Sequence, residues 1–226
     1  RVLLADELLH QEAANILGVT KGKVRIGLIS SISTKWMPNL IQIMEKSYPG
    51  ITIELREGDY YEIEQWLING EIDCGFLNRT NSKQFNFMPL KRDPLLCVVS
   101  KKSKLYEKEA IDIKDIEDEP IIMPSYKGTN DVLMLFEQYN VKPHIRFELF
   151  DEIGILSMVH HELGISILPH LGITQLPKNV RVVPFKQESF RTIGLSTKQS
   201  LSPAAKRFVE ELKHWLIENE DNLVFE

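Results

Sequence analysis

Short apolar runs that alternate with amphipathic stretches constrain this 226-residue chain more than any other feature of its sequence. In the first part, apolar runs occupy residues 24–29, 51–55 and 74–77, and the stretches between them repeat apolar side chains at helical spacing. Strands that are joined by helices need crossover connections, which are right-handed and leave the strands parallel. The pattern therefore predicts an α/β fold with a parallel sheet.

Residues with strong helix-boundary preferences mark where these helices start and stop. Asp59 and Glu62 have the spacing of a capping box that opens a helix through Ile68, and Gly70 stands where that helix is expected to end. Pro38 fits only the first turn of the helix that follows the first strand. A polar loop at residues 30–34 is predicted between that strand and that helix.

The same order of strand, polar segment and helix begins again after a strand predicted at residues 95–100. A strand at residues 121–123 precedes a polar loop, and Thr129 is predicted to cap the next helix. Ser202 and Pro203 have the preferences that open a final helix. Two similar lobes with a cleft between them are the expected architecture. The remaining predictions are strands at residues 144–149, 165–168, 180–183 and 193–197 and a helix at residues 151–162.

An apolar stripe at helical spacing runs through residues 1–17, which are predicted to form a helix that ends near Gly18. This stripe packs either against another chain or against its own domain. The sequence begins with Arg1 instead of Met, so either a signal peptide or a whole domain is expected upstream of it.

Charge and composition exclude several classes of protein. The formal net charge is −5, and no basic cluster is present that would neutralise nucleic-acid phosphates. The sequence shows no secretory signal and no run of about 20 apolar residues, the length of a membrane span. Cys74 and Cys97 stand inside apolar runs, as buried and unreactive thiols do, and their spacing fits neither a metal site nor a disulfide framework. These features are typical of a cytoplasmic protein.

Motifs of common enzyme and cofactor sites are missing. The sequence has no Gly-x-Ser-x-Gly nucleophile elbow, no phosphate-binding loop and no Gly-x-Gly-x-x-Gly fingerprint. His160, His161 and Glu162 are neighbours, but adjacent helical side chains diverge by about 100°, which argues against a shared metal ion. We therefore expect no catalytic residues, no metal and no cofactor.

Hydroxyl side chains are concentrated where two predicted strands end and helices follow. Helix N-termini present amide hydrogens without helical partners, so two such segments facing each other across a cleft favour a small polar or anionic ligand. The alternative is that the hydroxyls only cap their helices. The first segment contains Ser30, Ser31, Ser33 and Thr34, and the second contains Ser125, Tyr126 and Thr129.

Short sequence segments in a fixed order point to a known family. The segments are GKVRIG at residues 22–27, YPGI at 48–51, LINGEID at 67–73, LCVVS at 96–100 and LGISILP at 163–169. In this order and spacing, the chain resembles the effector-binding domain of LysR-type transcription regulators from residue 22 to residue 216. Residues 1–18 are similar to the end of the linker helix that pairs between subunits in that family.

The resemblance implies a type 2 periplasmic-binding-protein-like α/β fold. In such a fold two Rossmann-like lobes are joined by two crossover strands, and here the linker helix would precede them. Lobe I would contain residues 22–98 and 190–226, and lobe II would contain residues 99–189. DNA binding would belong to an N-terminal helix-turn-helix domain that is absent from this sequence.

By position in the family, effector contacts come from strand ends, helix starts and the hinge between the lobes. Asp59 departs from the Ser or Thr often found at its position, which argues against a purely anionic effector because a carboxylate would repel one. The role of Asp59 as a helix cap is favoured over a ligand contact. The reactive cysteines of peroxide-sensing members have no counterpart between residues 101 and 192. The implied contacts are Ser30, Ser31, Ser33, Thr34, Asp59, Leu77, Asn78, Val99 and Ser100, followed by Pro124, Ser125, Tyr126, Asp151 and Gly164.

The resulting hypothesis is a cytoplasmic domain that senses a polar or anionic small-molecule effector and is not an enzyme. Its other expected partners are copies of itself, in a homodimer or homotetramer that uses the helix at residues 37–48, and DNA only through the missing domain. One alternative is an extracytoplasmic solute-binding receptor with the same fold, and another is an enzyme built on that fold. The upstream coding sequence would distinguish the regulator from the receptor.

Overall fold

The computed structural model describes residues 21–79, 84–127, 130–197 and 200–224, which are arranged in two units. Residues 21–91 and 192–224 belong to the first unit, and residues 92–191 form the second. The helix predicted at residues 1–17 lies outside the described residues.

In chain order the elements are β1 (Gly22–Leu28), α1 (Ser30–Lys35), α2 (Met37–Ser47), β2 (Ile51–Glu57), α3 (Tyr60–Asn69), β3 (Cys74–Asn78), β4 (Asn86–Ser100), a 3-10 helix (Ile113–Ile116), β5 (Pro120–Pro124), α4 (Asp131–Gln138), β6 (His144–Leu149), α5 (Glu152–His160), β7 (Ser166–Pro169), a second 3-10 helix (His170–Gly172), β8 (Val180–Val183), β9 (Phe190–Thr197) and α6 (Pro203–Asn219).

The first unit is built on the parallel sheet that the sequence predicts. Strand β1 pairs in parallel with β2 on one side and with β3 on the other, and β9 pairs antiparallel with β3. The capping box of Asp59 and Glu62 is confirmed, and Gly70 ends α3 in the left-handed conformation with φ 75°. Ser202 caps α6 by accepting a hydrogen bond from the amide of Ala205 at 3.2 Å. Local boundary signals were therefore sufficient for these two helices.

The polar loop predicted at residues 30–34 is wrong, because these residues form helix α1. Ile29 is extended, and the helix begins at the next residue, Ser30. Hydroxyl residues favour loops and caps by bonding to nearby backbone, but here the Thr34 hydroxyl donates to the carbonyl oxygen of Ser30 one turn earlier, at 2.8 Å. Ile32 is fully buried, so tertiary packing of its side chain overrides the weak helix propensity of its neighbours.

The second unit contains a two-stranded parallel sheet, β5 with β6, and an antiparallel group in which β4 pairs with β7 and β8. Adjacent strand residues point to opposite faces, so each strand can contribute to two apolar clusters. Ile121 and Ile122 of β5 do this, as do Val98 and Val99 of β4. The core of this unit therefore lies on both faces of its strands.

Further boundaries in this part of the chain differ from the sequence prediction. Helix α5 ends at His160 instead of residue 162, and β9 begins at Phe190 instead of residue 193. Strand β4 begins at Asn86 instead of residue 95. The cap of α4 is Asn130 and not Thr129, which itself lies outside the described residues. The Asn130 amide accepts from the backbone amide of Val132 at 2.9 Å and donates to the carbonyl oxygen of Pro124 at 2.6 Å. The amide carries its acceptor oxygen and its donor nitrogen on separate atoms, so this side chain satisfies the helix end and the strand end together.

Within the described ranges, no helix combines the length and the apolar character needed to cross a lipid bilayer.

Candidate functional site

Polar residues of the first unit gather where its parallel strands end. The β1–β2 register pairs Leu28 with Glu57, and the β1–β3 register pairs Gly27 with Gly75. Ser30 and Ser31 follow β1 in the first turn of α1, and Asn78 is the last residue of β3, the strand that pairs in parallel with β1. Ligands of open α/β sheets bind beyond the carboxyl ends of the strands. We call Ser30, Ser31, Ser33 and Asn78 the serine surface.

The members of the serine surface differ in exposure. Ser31 and Asn78 are 4% and 2% exposed, whereas Ser30 and Ser33 are half-buried. Thr34 is exposed, and its hydroxyl is bonded within α1. Leu77 is fully buried among apolar side chains. The serine surface therefore combines two buried polar side chains with two half-buried ones.

Asp59 acts as the helix cap that the sequence favoured. Its Oδ1 accepts from the amide of Glu62 at 2.8 Å, and its own amide donates to Oε2 of Glu62 at 3.1 Å. A carboxylate at a helix N-terminus is stabilised by the backbone amides and the helix dipole. The negative charge of Asp59 is thus offset by α3 itself.

A second polar group lies at the end of β5 in the second unit. The amide of Ser125 donates to the carbonyl oxygen of Leu149 at 2.8 Å, so the ends of β5 and β6 are side by side. The Tyr126 hydroxyl donates to Oε1 of Glu152 at 3.0 Å, and its ring meets Phe150 edge-on with centroids 5.5 Å apart. We call Ser125, Tyr126, Phe150 and Glu152 the tyrosine cluster.

Electrostatics keep the Tyr126 hydroxyl protonated. Burial raises the pKa of Tyr126 well above its ordinary value, and the Glu152 carboxylate raises it further. The Arg191 guanidinium acts in the opposite direction but is outweighed. Tyr126 therefore remains a hydrogen-bond donor to Glu152 throughout the physiological pH range.

A buried ion pair lies close to the tyrosine cluster. Nε and Nη2 of Arg191 donate to Oδ2 of Asp93 at 2.9 and 2.8 Å, and Oδ1 of Asp93 accepts from the amide of Leu171 at 3.0 Å. Sequence reasoning missed Asp93, Arg191, Phe150 and Glu152. Only Glu152 carried a usable signal, since it follows the cap residue Asp151 in the first turn of α5.

Other residues implied by the resemblance lie elsewhere in the second unit. Val99 is fully buried in an apolar cluster, and Ser100 is 4% exposed at the end of β4. Pro124 ends β5, and the exposed Asp151 caps α5 by accepting from the amide of Gly154 at 2.8 Å. Gly164 packs against Pro120, at the opposite end of β5 from Ser125. The structure thus groups Pro124, Ser125, Tyr126 and Asp151 but separates Gly164 from them.

The position of Gly164 leads to a stability prediction. A Cβ atom at Gly164 would lie 2.4 Å from the carbonyl oxygen of Pro120, and backbone atoms cannot move aside cheaply. We expect Gly164→Ala to lower the free energy of unfolding by about 1–3 kcal/mol, measured by urea denaturation. Gly172→Ala is the matched control, because its Cβ would meet its nearest neighbour at an ordinary 3.4 Å. Equal stability of the two variants would contradict this structural role.

Both cysteines lie in the described ranges and have buried thiols. Burial raises the pKa of Cys74 and of Cys97, with smaller contributions from Asp73 and Glu119 respectively, which keeps both thiols protonated. The burial predicted for both cysteines is confirmed. His161 is bonded to the carbonyl oxygen of Ser157. No group of three or more His, Cys, Asp or Glu side chains is placed to hold a metal ion in the part of the chain that the structure describes.

An apolar groove of about 420 Å³ is also present in the first unit. Its lining includes Phe85, Phe87, Leu201 and Val209. It contains none of the residues that the sequence predicted as ligand contacts.

Comparison with protein families gives a match over most of the chain. The model of the LysR substrate binding domain matches residues 18–217. The uncharacterized HTH-type transcriptional regulator YvbU of Bacillus subtilis is 29% identical over 216 residues, which are 94% of this chain and 74% of that protein. The HTH-type transcriptional activator CmpR of Synechocystis is 29% identical over 163 residues, or 71% of this chain and 53% of CmpR.

Solved structures show the same fold at lower identity. The effector-binding domain of QuiR in complex with shikimate has a TM-score of 0.77 and 24% identity, and the match covers 88% of this chain and 99% of that one. The effector-binding domain of BenM with its effector benzoate has a TM-score of 0.78 and 21% identity, with coverages of 87% and 92%. The fold is therefore that of LysR effector-binding domains, an α/β fold of the type 2 periplasmic-binding-protein kind.

Proposed function

Because this chain belongs to the LysR substrate-binding domain family, we propose that it senses a small polar or anionic metabolite. The serine surface of the first unit and the tyrosine cluster of the second each provide candidate contact residues. The family is the regulatory, ligand-binding part of transcription regulators and is not a family of enzymes. Its relatives are HTH-type regulators, which favours a regulator over a solute-binding receptor.

The position of Ser30, Ser31 and Asn78 at the carboxyl ends of two neighbouring parallel strands, β1 and β3, is the observation that carries the proposal. Hydroxyl and amide groups donate to a carboxylate without adding a charge of their own. The capping role of Asp59 is compatible with an anionic ligand, because the amides of α3 offset part of the charge of that carboxylate. QuiR and BenM are each solved with a small cyclic carboxylic acid, shikimate or benzoate, which agrees with this chemistry.

The tyrosine cluster favours a ligand that also carries hydrogen-bond donors. Glu152 presents a carboxylate that accepts from Tyr126, and a carboxylate group favours hydroxyl or ammonium donors over other anions. The half-exposed Phe150 ring beside it can pack against a ring or an alkyl chain. We therefore propose a hydroxy acid or an amino acid as the effector class.

A thermal-shift screen tests this function directly. The panel contains hydroxy acids, amino acids and simple carboxylates, with shikimate and benzoate among them. A ligand present at about 100 times its dissociation constant is expected to add about 2.7 kcal/mol to the free energy of unfolding. Stabilisation by neutral, donor-free compounds alone would contradict the proposed effector class.

Two serine substitutions test the site. Once a ligand is found, Ser31→Ala and Ser125→Ala are each expected to weaken its binding by about 0.5–1.5 kcal/mol, and by more if the bonded group is charged, because each removes one hydrogen bond. Ser47→Ala and Ser157→Ala are matched controls, since both serines are exposed on helices away from the strand ends. Unchanged calorimetric affinity in both site variants would locate the effector elsewhere.

Assembly and DNA binding complete the proposal. We infer that the chain forms a homodimer or homotetramer through α2, and that DNA is bound in the cytoplasm by a helix-turn-helix domain of the full-length regulator, as the names of the relatives suggest. A two-fold contact of this kind is self-complementary. Light scattering that gives a 26.1 kDa monomer at high protein concentration would contradict the assembly.

A further inference from the structure

Lys91 of the first unit is a buried cation whose ammonium group contacts oxygen atoms of Glu220 and Asp221. Its side chain is 2% exposed, and Nζ lies 2.7 Å from Oε2 of Glu220 and 2.9 Å from Oδ1 of Asp221. Nζ also donates to the carbonyl oxygen of Asp221 at 2.7 Å. An ammonium group is costly to bury unless oxygen atoms replace its hydration. The arrangement therefore ties Lys91 specifically to the residues that follow α6.

The other carboxylate oxygen of Glu220 accepts a hydrogen bond from a residue between α1 and α2. Oε1 accepts from Nε1 of Trp36 at 2.8 Å. Trp36 is fully buried at the junction of α1 and α2, and its ring meets Phe76 of β3 edge-on with centroids 5.9 Å apart. The serine surface rests on these two elements, because Ser30, Ser31 and Ser33 belong to α1 and Asn78 ends β3.

Backbone contacts hold the same segment against β4. Leu223 forms an antiparallel bridge with Lys91, and the amide of Val224 donates to the carbonyl oxygen of Leu90 at 3.1 Å. Lys91 is the last residue of the first unit before β4 continues into the second. Glu220 thus contacts both the support of α1 and the strand by which the chain leaves this unit.

We propose that Glu220 is a positioning residue that couples the serine surface to the exit strand β4, with one carboxylate oxygen on Trp36 and the other on Lys91. A displacement of α1 on ligand binding would then act on β4 through a single rigid carboxylate. This coupling goes beyond the proposed ligand and can be tested without one.

The ammonium of Lys91 is charged under the conditions of such a test. Burial by itself lowers the pKa of Lys91, but the hydrogen bonds that Lys91 donates to Glu220 and Asp221 outweigh burial and raise the pKa above its ordinary value of 10.5. A raised pKa in the folded state means that this stabilisation is complete at neutral pH and is lost only as the pH rises through the folded-state pKa. Measurements at pH 7 therefore report the intact pair.

Hydrogen exchange of backbone amides, followed by mass spectrometry on the whole chain, tests the coupling. In Glu220→Ala, we expect exchange in peptides covering residues 30–36 and 86–91 to become about tenfold faster. The reason is that Trp36 and Lys91 each lose a charge-assisted hydrogen bond to the carboxylate. A peptide covering residues 152–160 in the second unit serves as the internal reference and is expected to stay unchanged. Glu218→Ala, which removes an exposed carboxylate at the end of α6, is the matched control and should exchange like the native chain.

Glu220→Gln separates the two contacts. Glutamine keeps an oxygen that can accept from Trp36 but no longer offers a charge to Lys91. Exchange at residues 30–36 should therefore be slower than in Glu220→Ala and closer to the native rate, while residues 86–91 should remain fast. The shift of the Trp36 indole N–H resonance gives an independent signature, which is displaced in Glu220→Ala and moves back towards its native position in Glu220→Gln.

Two outcomes would overturn the proposal. One is an equal increase of exchange in all peptides of Glu220→Ala, which would indicate a merely structural role. The other is native exchange at residues 86–91 in Glu220→Gln, which also decides the matter if the alanine variant does not fold. Because no ligand is used, neither outcome depends on the proposed effector.

Discussion

Replacing Asp93 with alanine is expected to lower the free energy of unfolding by about 3–5 kcal/mol, the usual cost of removing one partner from a buried ion pair. The side chains of Asp93 and Arg191 are 0% and 8% exposed, so water cannot replace the lost carboxylate at the guanidinium. The substitution also removes the acceptor of the Leu171 amide. Urea denaturation followed by circular dichroism measures the loss.

Two further variants show whether the loss comes from the buried charge. Glu188→Ala removes the carboxylate of an exposed pair with Arg92, at 3.8 Å, and should cost at most about 1 kcal/mol. The double variant Asp93→Leu with Arg191→Met removes both charges, and it should recover much of the stability, because apolar residues often replace a buried ion pair without loss. If Asp93→Ala were as stable as Glu188→Ala, burial of the Asp93–Arg191 pair would not account for the stability of this unit.

Replacing Trp36 with alanine is expected to destabilise the first unit by about 3–5 kcal/mol, because a large buried ring leaves a cavity when it is removed. The ring contacts Phe76 and Trp215, with centroids 5.9 and 6.4 Å away, and its Nε1 donates to Glu220. Trp36 directly follows α1, the helix that carries Ser30, Ser31 and Ser33. Ligand affinity should therefore fall together with stability.

Trp66→Ala is the matched control for this loss. Trp66 is half-buried and lies beneath the guanidinium of Arg56 at 4.0 Å, a contact whose removal costs about 0.5–1 kcal/mol at an exposed site. Chemical denaturation of both variants compares the two rings. If the Trp36 variant were no less stable than the Trp66 variant, the serine surface would not depend on the Trp36 ring.

The sequence alone determined the features whose physical cause is local. Asp59, Gly70 and Ser202 set helix ends because a cap bonds to amides or carbonyls within the same turn. The alternation of strands and helices determined the parallel sheet, since crossover connections leave the strands of such a sheet parallel. The short motifs were enough to identify the family, because their order and spacing between residues 22 and 169 are specific to it.

Only the tertiary structure decided which distant residues meet. Asp93 and Arg191 are separated by 98 positions, and Trp36 and Glu220 by 184, so no periodicity or spacing relates them. The helical state of α1 depends on burial of Ile32, and the place of Gly164 depends on a backbone that approaches from Pro120. Caps and periods act within a few residues, whereas buried charges and close packing are satisfied only when the folded chain brings their partners together.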